Sequence, residues 1–457
     1  MTAQSRAGDP SWKVSKKELR TVLASSVVGT TVEWYDFFLY GIAASIVFNK
    51  LYFPSDDPLI GTLLAFATFA VGFLARPVGG LIFGHIGDRV GRKKTLVATM
   101  LLMGIATCVI GLLPTYEQIG VLAPIALIVL RIAQGVAVGG EWGGAVLMAV
   151  EYSPVKRRGL FGSLPQLGLA LGLMLGTGIF AGLNTVMTDE AFLAWGWRIA
   201  FLLSAVLVIV GLYIRLKVME TPAFRKLKQR EKHASVPAVE LFKNRRNRRN
   251  IFLGMGSRWV EGVAFNTWAV FAIAYGTGTL EMDQQTLLMA VMIAAGTMIV
   301  FIPLFGRISD SAGRRRVFAA GAVVAGVLAY PAFLLLGTGN PVVVTITIVI
   351  VLGVFYPAMY GPQAALYAEL FPTHVRYSGI SFVYQFSGIF ASGLTPLVLT
   401  YLLGLASGGI GFVFAYIALA SLVSAACTWA IRTRDLAMYS EEQADQAATP
   451  EAQPSMR

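Results

Sequence analysis

Charge is what this chain of 457 residues has least of: only 14% of it is Asp, Glu, Lys or Arg, against about 25% in ordinary soluble domains. With 56% hydrophobic residues and a mean hydropathy of +0.67, that scarcity excludes an ordinary water-soluble fold. Cysteine is nearly absent. Cys108 and Cys427 are the only two, both in apolar segments without a spaced partner, so no disulfide framework or thiolate metal site follows and both read as packing residues. The three histidines, His85, His233 and His374, fall in or beside polar loops, so no helix-buried imidazole offers itself as a proton relay. There is no HExxH, no GxSxG in a strand–turn–helix setting and no P-loop lysine, which argues against hydrolase and ATPase chemistry. No cleavable signal peptide is expected, because the stretch to Arg20 is polar and the first apolar segment is too long.

What the chain does contain is twelve apolar stretches near the length of about 20 residues that a bilayer crossing needs. Their expected spans are 21–48, 59–83, 95–113, 119–148, 160–183, 196–216, 251–275, 286–305, 317–337, 341–366, 378–403 and 408–432. Basic residues crowd into alternate loops, at 1–20, 84–94, 156–158, 215–249, 307–316 and from Arg376 to Arg434. The opposite loops hold Asp56, Asp57, Asp189, Glu190, Glu281 and Asp283, with Lys50 as their only cation. By the positive-inside rule both termini are expected in the cytoplasm. The net charge of +12 is then topology, not a nucleic-acid footprint. A multi-pass protein of the cell membrane is expected.

Two loop motifs recur. GHIGDRVGRKK at 84–94 returns as GRISDSAGRRR at 306–316, with Asp88 and Asp310, and Gly91 and Gly313, 222 residues apart. Glu151, Pro154 and Arg158 in EYSPVKRR match Glu369, Pro372 and Arg376 in ELFPTHVR, 218 residues apart. Duplication in a polytopic chain points to a transporter built from two repeats. The division expected is an N-terminal tail (1–20), a six-helix bundle (21–216), a basic connector (217–250), a second six-helix bundle (251–434) and a disordered polar tail (435–457). An even number of spans per half makes the repeats parallel. In the connector, Thr221 followed by Pro222 reads as the start of a surface helix, and its basic residues are placed to contact anionic lipid. Because one chain contains both halves, a functional monomer is expected.

Over nearly its whole length the chain resembles the major facilitator superfamily. GHIGDRVGRKK resembles that superfamily's signature between helices 2 and 3, and RIAQGVAVGG at 131–140 its helix-4 motif. The narrower resemblance is to the metabolite:proton symporter family, carried by Glu33-Trp34-Tyr35-Asp36-Phe37, FLARPVGGLIFGHIGDRVGR at 73–92, GGEWGGAV at 139–146 and ETPAF at 220–224. Members are permeases for shikimate, α-ketoglutarate, citrate, and proline or betaine. The resemblance implies proton-coupled import of a small organic acid or zwitterion by alternating access, with the proton as coupling ion and no cofactor. It also implies a gating role for Asp88, Gly91 and Arg92. Ser309 and Ser311 flank Asp310 where the first copy differs, so weaker bonding is expected there. Residues 435–457 show no sustained heptads, which argues against an osmosensing coiled coil.

Charges inside the membrane mark the site independently, since each costs roughly 2.5–3.5 kcal/mol at mid-bilayer on insertion scales. Glu33 and Asp36 share one face of helix 1, about 4.5 Å apart along the axis. Close carboxylates in low dielectric cannot both ionise cheaply, which makes the pair the candidate proton carrier. Asp36 is the sharper choice, with Glu33 as its tuner or as the partner of Arg76. The alternative is a set of permanent salt bridges with Arg76 and Arg131. Arg131 is a candidate anion anchor or coupling switch, or else a packing residue paired with Glu141 or Asp36. Arg258 repeats the pattern on helix 7 with Glu261, unless it merely snorkels.

Interior-facing polar and aromatic residues complete the candidate substrate site: Tyr35, Gln134, Gln166, Asn266, Trp268, Tyr360, Gln363, Tyr384 and Gln385. At the basic end, Asp88, Asp310 and the pairs Glu151/Arg158 and Glu369/Arg376 are expected to form a latch between halves. No metal site is expected. A symporter is the leading reading. A proton-driven exporter on the same fold and a non-transporting membrane sensor stay open, to be separated by the direction of transport and by binding without accumulation.

Overall fold

In a bilayer core each backbone N–H and C=O must bond within its own segment, and the apolar stretches accordingly fold as helices. The computed structural model describes residues 16–90, 92–139, 149–150, 153–219, 241–372, 375–406 and 409–432. Among these the chain forms twelve long helical segments and no strand.

In the first half, α1 is Lys16–Ala43, continued through a π-helical turn at Ala44–Phe48 into Asn49–Leu51. Next come α2 (Pro58–Val90), α3 (Arg92–Leu112) and α4 (Leu122–Val138). Then α5 joins Arg158–Ser163 to Leu167–Val186, and α6 runs from Asp189–Ala191 through Phe192–Gly196 to Trp197–Met219. In the second half, α7 is Arg245–Asn266 continued by Thr267–Phe271 and Ala272–Gly278. It is followed by α8 (Gln284–Ala312) and α9 (Arg314–Leu336). After these, α10 joins Pro341–Ile348, Val349–Phe355 and Pro357–Glu369; α11 joins Arg376–Gly388, Ile389–Gly393 and Thr395–Leu405; α12 is Gly411–Ala430. Eight of these are long and apolar enough to cross a membrane by length and composition, and α3 and α4 contain shorter apolar stretches. The other two, α1 and α7, carry Glu33 with Asp36 and Arg258 with Glu261.

The helices differ from the expected spans mainly at their ends. Helix α7 starts inside the expected connector because the Asn244 side chain accepts from the Arg246 N–H at 2.9 Å, an N-cap. The expected surface helix at Thr221 and Pro222 lies outside the described residues. The recurring motif is less a loop than a junction of helices. Gly306 to Ala312 are the last turns of α8, Gly313 alone has φ +93°, and α9 begins at Arg314. Positive φ is a conformation only glycine adopts cheaply, so one residue suffices to end one helix and start the next.

Packing repeats with the sequence. In the first half α1 lies on α5 and α6, α2 on α4, and α3 on α4 and α6. The same pairs recur six helices later: α7 on α11 and α12, α8 on α10, α9 on α10 and α12. The π-turns of α1 and α7 also correspond, starting 223 residues apart. Between halves, α5 packs along α8 and α10, α2 against α11, and the π-turn of α1 against α7. Leu81, Ile209, Val327 and Leu422 point outwards, each at least 67% exposed, while charged side chains lie inside. That inversion suits a hydrocarbon surround.

Candidate functional site

Close packing of α2 on α4 creates the first-half cluster. A Cβ at Gly135 would overlap the Gly72 carbonyl and one at Gly139 the Arg76 carbonyl, so glycine lets the backbones touch. The approach brings Arg131 of α4 against α1 and α2. Its guanidinium lies over the rings of Tyr40 at 4.1 Å, Phe37 at 5.0 Å and Phe69 at 5.2 Å, which partly offsets burial of the charge. Arg131 NH1 donates to Gln134 Oε1 at 3.1 Å and Gln134 Nε2 donates to Thr107 Oγ1 at 2.7 Å, while the one Thr107 hydroxyl hydrogen is shared between Asp36 Oδ2 at 3.1 Å and the Met103 carbonyl at 2.9 Å. Asp36 and Arg131 are thus joined through two neutral side chains. Among the described residues Asp36 Oδ1 and Arg131 Nε and NH2 find no hydrogen-bond partner. Asp36 is only 1% exposed.

Glu33, Asp36, Arg76, Arg131 and Gln134 line a cavity of about 10 Å³, room for about one water molecule. An organic acid does not fit there in this conformation. Arg76 sits over Phe73 at 4.3 Å and Phe37 at 4.6 Å. Arg131 fills the space that Gly72 leaves, since a Cβ there would lie 2.5 Å from its Nε. Gly72→Ala is therefore expected to lower the melting temperature of the purified protein, an overpacking cost of about 1–3 kcal/mol. Gly182→Ala, where nothing lies within 4 Å, is expected to leave it unchanged or raised.

The second-half cluster hangs on α7. Arg258 lies mid-helix and is 2% exposed, so it faces the interior and does not snorkel. Its NH1 donates to the Tyr384 carbonyl at 3.0 Å and to Ser387 Oγ at 3.1 Å, and its guanidinium stacks on the Tyr384 ring at 3.8 Å. Glu261 accepts from Tyr356 OH at 2.6 Å and from Gln363 Nε2 at 3.0 Å. Arg76 lies over Phe73, and the Phe73 ring and Arg258 NH1 both flank Gly388 of α11, so the two arginines approach the same point of the contact between halves.

Other residues singled out by sequence sit elsewhere. Tyr35 OH is bonded to the Ala200 carbonyl at 2.8 Å, tying α1 to α6. Trp268 packs on Phe333, ring centroids 4.9 Å apart, in an aromatic cluster with Phe271 and Tyr275. Asn266 donates to Gly262 of its own helix. Gln166 and Gln385 bridge the halves, donating to the carbonyls of Tyr360 and Gly139 at 2.7 and 2.8 Å. Tyr360 stacks on Tyr356 at 5.4 Å, beside the Glu261 cluster.

At the basic end the described half of the expected latch is built around Asp310 and a residue the sequence reading passed over, Arg314. Asp310 accepts from the backbone N–H of Gly159 at 2.7 Å and of Leu160 at 3.0 Å, so it caps α5 of the opposite half. It also accepts from Arg314 NH2 at 3.2 Å, and Arg314 forms an ion pair with Glu369. Asp310 thus accepts three bonds, and the first copy, against which weaker bonding is expected, lies outside the residues whose side chains are described. Arg376 Nε donates to the Phe371 carbonyl at 3.0 Å, and Arg158 opens α5 one residue before Gly159. Asp88, Gly91, Arg92, Glu151 and Glu141 lie outside the residues whose side chains are described. At the opposite end, Gln285 Nε2 donates to Thr185 Oγ1 at 2.9 Å, so the halves touch at both ends of the α5–α8 seam.

Sequence reasoning passed over Thr107, Tyr40, Tyr356 and Arg314. Thr107 and Tyr356 are polar groups in apolar helices, the same signal that singled out Gln134. Tyr40 is one turn beyond Asp36 on the same face, and Arg314 sat inside a basic triplet read as topology. Among the described residues no cluster of metal-ligating side chains occurs.

A profile of the Major Facilitator Superfamily matches residues 27–396. An inner membrane metabolite transport protein of Escherichia coli (strain K12) is 40% identical over 421 residues, covering 91% of this chain and 95% of that protein. The shikimate transporter of the same organism is 37% identical over 414 residues (90% and 94%), and its proline/betaine transporter 36% over 396 (84% and 78%). The crystal structure of a D-xylose–proton symporter superposes with a TM-score of 0.69 over 90% of this chain and 97% of that one, at 16% identity, a likeness of fold. Two six-helix repeats around buried charge, matched along most of their length, place the chain in the Major Facilitator Superfamily, as a multi-pass membrane protein and a secondary transporter, not an enzyme.

Proposed function

We propose that this transporter is a proton symporter that imports a small carboxylate-bearing or zwitterionic metabolite across the bacterial inner membrane, as a monomer with both termini in the cytoplasm. The observation that carries the reading is Asp36, buried with one oxygen unbonded and linked through Thr107 and Gln134 to Arg131. An unbonded oxygen is far costlier on an ionised carboxylate than on a neutral one, so the site suits a group that takes up and gives off a proton. Glu33 lies in the same cavity and adjusts it through the nearby charge of Arg76. Proton arrival at Asp36 rearranges the hydrogen bonds that hold Arg131.

Substrate enters between the halves, where Arg258 supplies a buried cation for a carboxylate, with Tyr384, Gln385 and Tyr360 around it and Gln363 held on Glu261. The named substrates of the two relatives, shikimate and proline or betaine, all bear a carboxylate, which supports that class. Gating falls to the end where Asp310 joins the halves and Arg314 ties it to Glu369 within the second half, with Asp88, Gly91, Arg92, Glu151, Arg158 and Arg376 as further members. Membrane lipid is the surrounding partner, and no cofactor beyond the proton is invoked.

The test is uptake of labelled shikimate, α-ketoglutarate, citrate, proline and betaine into proteoliposomes, with and without an inward proton gradient. Gradient-stimulated accumulation of one compound is expected. Gradient-driven extrusion would instead make the protein an exporter, and binding without movement a sensor.

A further inference from the structure

Arg258 and Glu261 lie three residues apart on α7, yet their pairing is oblique. Glu261 Oε2 is 3.3 Å from Arg258 Nε, but Arg258 Nε–H makes no hydrogen bond among the described residues. The carboxylate is turned instead to two neutral donors of α10, Tyr356 OH at 2.6 Å and Gln363 Nε2 at 3.0 Å. Meanwhile the Tyr384 carbonyl, Ser387 Oγ and the Tyr384 ring fix the guanidinium. The result is an oriented cation, 2% exposed, whose Nε edge lacks an acceptor while a carboxylate is held just aside from it.

We infer that Glu261 is a tethered competitor for the substrate's carboxylate, and that Tyr356 and Gln363 are positioning residues that hold it off Arg258 so that the Nε edge receives the substrate. This rests on the reading of the chain as a carboxylate importer. An unfilled buried donor is unfavourable and a carboxylate from outside satisfies it. Arg76, over the Phe73 ring that flanks Gly388 together with Arg258 NH1, is a second buried cation on this side of the contact between halves to balance a second carboxylate. Without the Tyr356 hydroxyl, Glu261 loses a bond that Arg258 can replace, and the two then close on each other against the substrate.

The experiment is a mutant cycle of Tyr356→Phe, Glu261→Gln and the double variant, with Gln363→Leu as a second way to release Glu261. Monodisperse elution of each purified protein checks folding. KM and maximal rate are measured for the compound the panel identifies. Tyr356→Phe and Gln363→Leu are each expected to raise KM about tenfold with the maximal rate within about twofold, and Glu261→Gln in the same molecule to return KM to the wild-type value. An unchanged KM in Tyr356→Phe, or a double variant as impaired as the single one, overturns the inference, the latter by making Tyr356 a direct substrate contact. A second readout does not need transport: thermal stabilisation of the purified protein by each panel acid, with methyl shikimate as the uncharged control. Stabilisation that Tyr356→Phe loses and the double variant regains upholds the inference even if uptake fails, in which case only the symport reading falls. A wild type that no carboxylate stabilises overturns it.

Discussion

Asp36→Asn is expected to collapse uphill accumulation to the external concentration while exchange of labelled for unlabelled substrate continues. Each unit of inward pH difference is worth about 1.4 kcal/mol per coupled proton, so the wild type accumulates a monoanion about tenfold per unit and the variant does not. The asymmetry follows from the site. Asn preserves the shape of Asp36, and its carbonyl still accepts from Thr107, so the chain of bonds to Gln134 and Arg131 keeps its geometry. What it loses is the group that binds a proton. Accumulation measured across a range of imposed pH differences decides the point, and a variant that still follows the gradient would remove Asp36 from the mechanism.

Asp310→Ala is expected to cut the transport rate at least tenfold and to open the basic end of the seam. Asp310 accepts two N–H groups of α5 and one guanidinium of α9, and hydrogen bonds to charged groups contribute about 1.5–3 kcal/mol each. Only the two bonds to α5 cross between the halves, together about 3–6 kcal/mol, and moving a two-state equilibrium from 1:99 to 99:1 takes about 5.5 kcal/mol, so their loss shifts the balance strongly towards opening. Ser163 lies at this seam, fully buried against Gly306. With Cys108 and Cys427 replaced by Ala, Ser163→Cys is expected to resist a water-soluble maleimide when Asp310 is intact and to react when it is Ala. Equal labelling in both backgrounds would mean that Asp310 does not hold the seam closed.

The fold was legible because its determinants are local or periodic. Span lengths, the alternation of basic and acidic loops, and the paired motifs each read directly from the chain, and the packing pairs repeat as the duplication requires. Placement on one helix face was legible too: Glu33 and Asp36 line one cavity and Glu261 lies 3.3 Å from Arg258, as three-residue spacing requires. Contacts between helices were not. Asp310 reaches the start of α5 and Arg314 reaches Glu369, and nothing in a linear spacing points to either partner. Arg131 shows the same limit. Its charge at mid-helix was visible, but the rings beneath it and the two neutral side chains between it and Asp36 depend on how closely Gly135 and Gly139 let α4 approach α2. Tyr35 and Trp268 show the limit from the other side: polar or aromatic character places them inside the protein, and only the packing shows that one bonds α6 and the other lies on Phe333.

The most direct test is proton entry itself, read from a pH-sensitive dye trapped in proteoliposomes when the substrate found in the uptake panel is added outside. The account predicts that substrate entry acidifies the lumen in the wild type, and that Asp36→Asn exchanges substrate with no acidification. Substrate entering the wild type without protons, or protons still entering with substrate through the Asn variant, would contradict it.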